Sequence, residues 1–419
     1  MKKVISTVVI LLLSACAGQQ RQTNELAKQL YYQPPQQVLT QLQTFEPPNR
    51  DIAQYQLNLG ILQLLSADFS AAIATLSEAK KVMSDLSATS VSENLAAGTV
   101  NETLRSYSGY PTDRVMVHNM LALAYLLSND IYAARVEMLQ ADIAMKKLAT
   151  KGSLSGQLVS AHLLAAIIYE MLDEQSNALI SYSNSEKILI KRNLSVPFAL
   201  QQSLLRMSYE VDKEGQYANY AKRYLQFRVP VNNNNTQVFS LYFDGIVSHK
   251  EQASIVVPSF NGKQLIRISM PAYHSYAKQI THAKLFDASQ QFTTELIENL
   301  ETLVREDLDK EYPSILLLTT TRAIAKYKLV EESSQKDPLL GSLINIATLL
   351  TEVADLRSWN MLPSNIQFAY LETTEAEVMI NIANIRQEIV PLKANSKNLL
   401  LMTNLKTPIF HFSNRSGHN

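Results

Sequence analysis

The chain has 419 residues, with 38 Lys and Arg against 38 Asp and Glu, so its formal charge is zero and it lacks the basic excess that displaces counterions from nucleic acid. A single Cys excludes an internal disulfide and a cysteine zinc cluster. Eleven Gly leaves little material for phosphate-cradling loops, and 46% apolar content places the chain outside the disordered class.

Residues 1–15 read as a secretory signal. Lys2 and Lys3 form a positive start, and residues 4–13 are mostly apolar, too short a run to span a hydrocarbon core of ~30 Å. Leu13-Ser14-Ala15-Cys16 resembles the bacterial lipobox. That resemblance implies cleavage before Cys16, acylation of Cys16, and attachment to the membrane through that lipid anchor alone. Several acyl chains anchor stably, and Ala17 at the second mature position implies sorting to the outer membrane. Residues 16–25 are polar and predict a tether.

From residue 26 to 226 apolar residues recur at three and four, the period of packed helices. Residues 51–86 hold Leu59-Gly60, Asp68-Phe69, Ala72, Leu76 and Ala79. These match the tetratricopeptide pattern, which places small side chains where two antiparallel helices approach closely. Ala122, Tyr125, Asp130, Ala134, Met138 and Ala141 repeat the frame. Ala166, Tyr169, Ala178 and Tyr182 follow it less fully, and Tyr209, Ala218 and Lys222 mark a weak fourth copy. The alanines Ala72, Ala134, Ala178 and Ala218 are 62, 44 and 40 residues apart, against ~34 in a regular array, so the repeat is degenerate and carries insertions. The largest insertion, residues 87–112, reads as a long loop with short helix.

Residues 227–236, with Pro230 and four consecutive Asn, predict a linker. Beyond it, 237–243, 251–257 and 264–270 have strand character, the last two as a hairpin. Residues 294–308, 314–330 and 339–354 are helical, and 366–370, 377–381, 389–392, 399–403 and 409–412 are closing strands. The expected fold class is α plus α+β: helical repeats over 26–226, then a smaller mixed α+β domain over 237–412 that folds independently, with 413–419 as a tail.

No hydrolase elbow, phosphate loop or H-E-x-x-H is present, and no cofactor is expected. His274 and His282 are eight residues apart, too far for one helix to chelate a metal without other ligands, so no metal is expected. Glu137 reads as a helix-face ion pair. The most individual stretch is 352–363, which holds the only Trp, Trp359, beside Asp355 and Arg357. Such a corner caps a helix, with Arg stacked on Trp and bridged to Asp. Alternatively, with Arg322 and Lys326, it forms a cationic pocket for an anionic sugar or phosphate.

Residues 114–137 (RVMVHNMLALAYLLSNDIYAARVE), 322–327 (RAIAKY), 354–359 (ADLRSW) with Leu362-Pro363, Phe243-Asp244-Gly245 and Ile268-Ser269-Met270-Pro271 are similar to blocks of an uncharacterised family of Gram-negative envelope lipoproteins. The resemblance covers most of 51–412. Residues 110–113 depart from it, since a Gly-Glu-rich version is expected there. It implies tetratricopeptide-like helices joined to a C-terminal α+β domain, a family with no established enzymatic activity, and genes near those of lipoproteins that activate peptidoglycan synthases; no catalytic activity is expected. The expected function is an outer-membrane lipoprotein that faces the periplasm and scaffolds other envelope proteins through its repeats, in peptidoglycan synthesis or surface-component export. The alternatives are a ligand-binding protein or enzyme acting on an anionic envelope glycan in the C-terminal domain, and a surface-exposed adhesin. Four cationic and acidic side chains (Arg322, Lys326, Asp355 and Arg357) gathered at one cavity would favour the glycan reading; dispersal into separate ion pairs would favour the scaffold.

Overall fold

The structure, a computed structural model, describes residues 20–88, 105–150, 152–224, 235–259, 262, 264–274 and 279–415. The N-terminal part comprises α1 (residues 20–29), α2 (Pro35–Leu42), a 3-10 turn (Asn49–Asp51), α3 (Ile52–Leu65), α4 (Phe69–Ala88), α5 (Pro111–Leu127), α6 (Ile131–Leu148), α7 (Val159–Met171), α8 (Gln175–Lys191), α9 (Phe198–Val211) and α10 (Gln216–Arg223). The C-terminal part follows as β1 (Thr236–Asp244), β2 (Glu251–Pro258), β3 (Leu265–Ala272), β4 (Ala283–Phe286), β5 (Gln291–Thr293), β6 (Glu295–Asn299), α11 (Leu300–Lys336), α12 (Pro338–Leu350), β7 (Asn365–Thr373), β8 (Glu377–Ile382), β9 (Arg386–Pro391), β10 (Ser396–Thr403) and β11 (Phe410–Arg415). The fold class is α plus α+β.

Helices α3 to α10 form four consecutive pairs, the repeats expected from the alanine frame. Gly60 of α3 lies so close to α4 that a Cβ would sit 2.5 Å from Leu76 Cγ, and Ala72, Ala134 and Ala178 are fully buried. The first three pairs share one turn. Ala67, Asn129 and Asp173 are left-handed, with φ of 63°, 66° and 58°. In each, the following residue donates its N–H to the carbonyl five residues back: Asp68 to Gln63, Asp130 to Tyr125, Glu174 to Tyr169. That satisfies an orphan carbonyl at the helix end. Asp68 and Asp130 then accept from Ala71 N and Ala133 N, capping α4 and α6.

The first helices of the first three pairs are apolar nearly all round, and all thirteen residues of α7 are buried. Such a helix needs cover on every side. The second helices cover one side, and the chain's own sheet covers the other. That sheet runs β11-β10-β1-β7-β6, with β1 parallel to β10 and the other pairs antiparallel. Its alternation sorts the core. Phe239, Leu241, Phe368, Tyr370, Leu399 and Phe410 point to the helices and share one cluster with them. Val238, Tyr242, Leu371, Leu400 and Met402 point away and pack on a second sheet, β5-β4-β8-β9. The molecule is therefore three layers: helices, sheet, sheet.

Several expectations are corrected. The tether over 16–25 is helical from residue 20, with Asn24 and Leu26 buried; the Asn360 side-chain amide donates to Asn24 Oδ1. The signal and Cys16 lie outside the described residues, as do 89–104 of the long insertion and 227–234 of the linker. Residues 413–415 belong to β11 rather than a tail. The two parts do not separate at the linker, because one hydrophobic cluster runs from Leu26 to Phe412.

Strands β4, β5 and β6 stand where no strand, or a helix start, is expected. The helices expected over 294–308 and 314–330 are one element of 37 residues, α11, with Pro313 inside. Pro313 lacks the N–H that would continue the ladder, but tertiary contacts anchor the helix on both sides of it. Asp307 accepts from Thr112 N and the Ser155 hydroxyl, both at 2.9 Å, and Arg322 is held by Glu352. Helices α11 and α12 form a hairpin, with the β2–β3 ribbon, paired as expected, against it.

Candidate functional site

Residues 352–363 leave α12 and enter β7, and their side chains go to different neighbours. Glu352 is buried and accepts from Arg322 Nη2 at 3.2 Å and from Lys326 Nζ. Arg357 forks onto Asp355 at 2.9 and 2.6 Å and reaches Asp51 at 2.8 Å and Arg50 O at 3.2 Å. Its ring contact is Tyr107, 5.8 Å away, not the expected stack on Trp359. Gln54 of α3 donates to Ser358 O at 2.7 Å and Asn360 Oδ1 at 2.9 Å. Trp359 is 1% exposed in the shared core.

Arg322 and Lys326 therefore clasp one carboxylate, while Arg357 and Asp355 form a second cluster with Asp51. The five candidates do not converge. The crevice beside Lys326 and Arg267 holds about 10 Å³, room for about one water.

Behind the corner lies a polar network absent from the sequence reading. Lys250 is buried and donates to the Tyr110 hydroxyl and to Arg357 O; burial pushes its ammonium down to about 8. Asp113 accepts from the Tyr107 hydroxyl at 2.5 Å and from Tyr110 N at 2.9 Å, yet burial lifts it to about 6. Burial would raise Asp355 too, but Arg357 and Lys250 hold it below the usual carboxylate range. The network ties α5, the 3-10 turn and β2's approach to the 352–363 segment, and each polar group named here has a partner within the protein.

Glu137 takes the ion-pair role expected for it. It accepts from Lys80 Nζ and meets His118 Nδ1, both at 2.7 Å, joining α4, α5 and α6. Among the described residues no three metal-ligating side chains converge, and no described helix is long and apolar enough to cross a membrane. An open cleft of about 670 Å³ between α9 and β5–β7 is lined by Phe198, Gln202, Phe292, Glu295 and Glu372. Its two carboxylates are engaged, Glu295 by Phe198 N and Glu372 by the Tyr370 hydroxyl.

The free faces of the repeats are more telling. Helix α6 carries two apolar stripes of the same 4-3-4 spacing. Ala134, Met138, Ala141 and Met145 are buried, whereas Tyr132, Val136, Leu139 and Ile143 are exposed. The stripes are offset by two residues, about 200° around the helix, so α6 is apolar on opposite faces. Arg135, Asp142, Lys146 and Lys147 edge the outer stripe. The signal is present in the sequence as a second heptad-like run, but the first run absorbs it, because one apolar stripe is all a repeat helix requires.

No protein-family model and no curated protein matches the chain. Among solved structures, the crystal structure of the apo form of RapI is similar over 45% of this chain and 45% of its own, at 13% identity and a TM-score of 0.32. The match thus spans less than half of either chain.

Proposed function

We propose that this chain is a lipid-anchored scaffold of the outer membrane, one of the envelope lipoproteins it resembles. It faces the periplasm, gathers other envelope proteins for peptidoglycan synthesis or surface-component export, and has no catalysis of its own. The observation that carries the reading is the bifacial α6. The inner faces of the first helices are filled by the sheet, which leaves the second helices to meet partners. An exposed stripe at i, i+4, i+7 and i+11 with a charged rim suits an amphipathic helix laid along it. The anchor stands on Leu13-Ser14-Ala15-Cys16, with the chain's single Cys at the acylated position. The dispersal of Arg322, Lys326 and Arg357 onto internal carboxylates favours a scaffold over an anionic-glycan site.

The test is crosslinking in membranes with the native anchor retained. A photo-reactive residue at Tyr132 should yield discrete adducts with envelope proteins, and Val136→Glu/Ile143→Glu should abolish them. Equal adducts from the variant would refute the α6 surface. Cys16→Ser should end palmitate incorporation; undiminished labelling would refute the anchor.

A further inference from the structure

The outer stripe of α6 runs along one wall of a groove. Helix α7 is buried along its whole length, but His162, Ala165 and Tyr169, at 8%, 6% and 7% exposure, are its least covered residues. Their i, i+3 and i+7 spacing puts them on one face. At one end of that face Arg135 of α6 lies 5.6 Å from the Tyr169 ring centre and forks onto Glu174, the residue before α8, at 2.5 and 3.0 Å. At the other end His162 lies under the charges of Lys146 of α6 and Lys187 of α8. Helices α6 and α8 thus run side by side in the same direction, and α7 is the floor between them.

The two walls end in unmatched positive charge. On α6, Tyr132, Val136, Leu139 and Ile143 lead to Lys147; on α8, Ile180 and Asn184 lead to Lys187 and Lys191. Lys146 is matched by Asp142 at 2.5 Å. Lys147, Lys187 and Lys191 meet no carboxylate among the described residues, and Lys187 reaches Asn184 Oδ1 at 3.4 Å. The carboxylates at the opposite end are answered internally: Asp130 caps α6, Asp173 meets Lys397, and Glu174 holds Arg135. Burial pushes His162 down to about 4, with Asp142 opposing and Lys146 and Lys187 adding to the shift, so the ring is neutral at pH ~7 and adds no charge of its own. Helix α4, the second helix of the first pair, has neither feature. Its outer face carries exposed Ala74, Glu78, Lys81 and Asp85, and its last turn has no basic residue.

We infer that the occupant of the α6 surface is an amphipathic helix lying along this groove, antiparallel to α6 and α8, with an acidic first turn between Lys147, Lys187 and Lys191. The inference rests on the docking role proposed above for α6 and fixes the partner's charge and direction. The partner's apolar side chains meet Leu139, Ile143 and Ile180, which are 40%, 52% and 59% exposed. Carboxylates are stabilised in the first turn of a helix by its own dipole. With that turn at the lysine end they are favoured a second time, and the partner's dipole opposes those of both walls. In the reverse direction the partner's last turn, which favours cations, would face three unmatched ammoniums. Such charge matching sets direction and specificity more than affinity, which the apolar contacts supply.

The test is photo-crosslinking of the full chain in membranes, with a photo-reactive residue in place of Tyr132 or of Ile190, which is 51% exposed beside Lys191. Peptide mapping of the adducts should place both sites on one partner helix, the Ile190 site N-terminal to the Tyr132 site and next to Asp or Glu. Lys147→Glu/Lys187→Glu/Lys191→Glu should lower both adducts about tenfold or more with circular dichroism unchanged, whereas Lys147→Arg/Lys187→Arg/Lys191→Arg should keep them. The reversed order, a first turn without carboxylates, or equal adducts from the glutamate variant would overturn the inference and leave the α6 surface standing. Phospholipid adducts in place of protein adducts would overturn it in favour of a lipid surface. No adduct from Tyr132 would refute the α6 surface and this inference with it.

Discussion

Glu298 of β6 lies buried against the start of α7, where Ser160 donates to Oε2 from its N–H at 3.0 Å and from its hydroxyl at 3.3 Å. Burial pushes the carboxyl up to about 7, and the Ser160 bonds and Arg192 recover only part of the shift. The folded chain thus holds a proton there that the unfolded chain, with an ordinary value of 4.5, releases. This contribution to stability is fully present below the unfolded value and is lost as pH rises through about 7. Glu298→Gln should match the parent near pH ~5 and exceed it near pH ~8 by on the order of 1–3 kcal/mol in urea unfolding; an equal gain at both pH values would point to another cause. Trp359 is governed by volume. Its indole N–H has no hydrogen-bond partner among the described residues. Trp359→Ala should therefore cost about 3–5 kcal/mol, and Trp359→Phe clearly less, because no bond is lost. Because Trp359 sits in the cluster shared with the repeats, the alanine variant should lower one common melting transition rather than that of the C-terminal strands alone.

At the scale of elements, the repeated left-handed turn is the most open to test. Asn129 and Asp173 are types that tolerate positive φ, but Ala67 does so at a steric cost of about 1–2 kcal/mol. Ala67→Gly should raise the urea midpoint, a gain of about 1 kcal/mol, and Asn129→Gly should change it less. A loss at Ala67 would mean that its methyl packs more than it strains. The repeat pairs, the β2–β3 hairpin and the five closing strands were legible because each has a clean period over enough residues. Strands β4 to β6 were not. Ala283–Phe286 and Gln291–Thr293 are four and three residues long, and the stretch before α11 shares its polarity with a helix start. Pro313 read as a break because local sequence cannot show tertiary anchors on both sides of it. The corner residues were found, but their partners Asp51, Gln54 and Asn24 lie some 300 residues earlier. On α6 the alanine frame picks out the buried stripe, Ala134, Met138 and Ala141, but nothing in that frame marks the second stripe as an exposed surface.

Across the whole molecule, the change of period at residues 227–236 marks a change of secondary structure and not a division of the core. Arg206 of α9 illustrates this. It is buried, paired with Glu170 of α7, and lies 4.3 Å from the ring centre of Tyr370 in β7. Residues 235–415 produced alone should lack the near-ultraviolet dichroism of a packed fold, and mixing with residues 20–224 should restore it; a native-like spectrum from the fragment alone would contradict the shared core. The parallel pairing of β1 with β10 also sets a timetable. The inner faces of α3, α5 and α7 are finished early in synthesis, but the strands that cover them come last. At ~5–20 residues per second, the roughly 190 residues that follow α10 take on the order of 10–40 s to appear. Throughout that interval the nascent repeats display an oily surface that only a holdase can shield, and any pause before Ser396 prolongs the hazard.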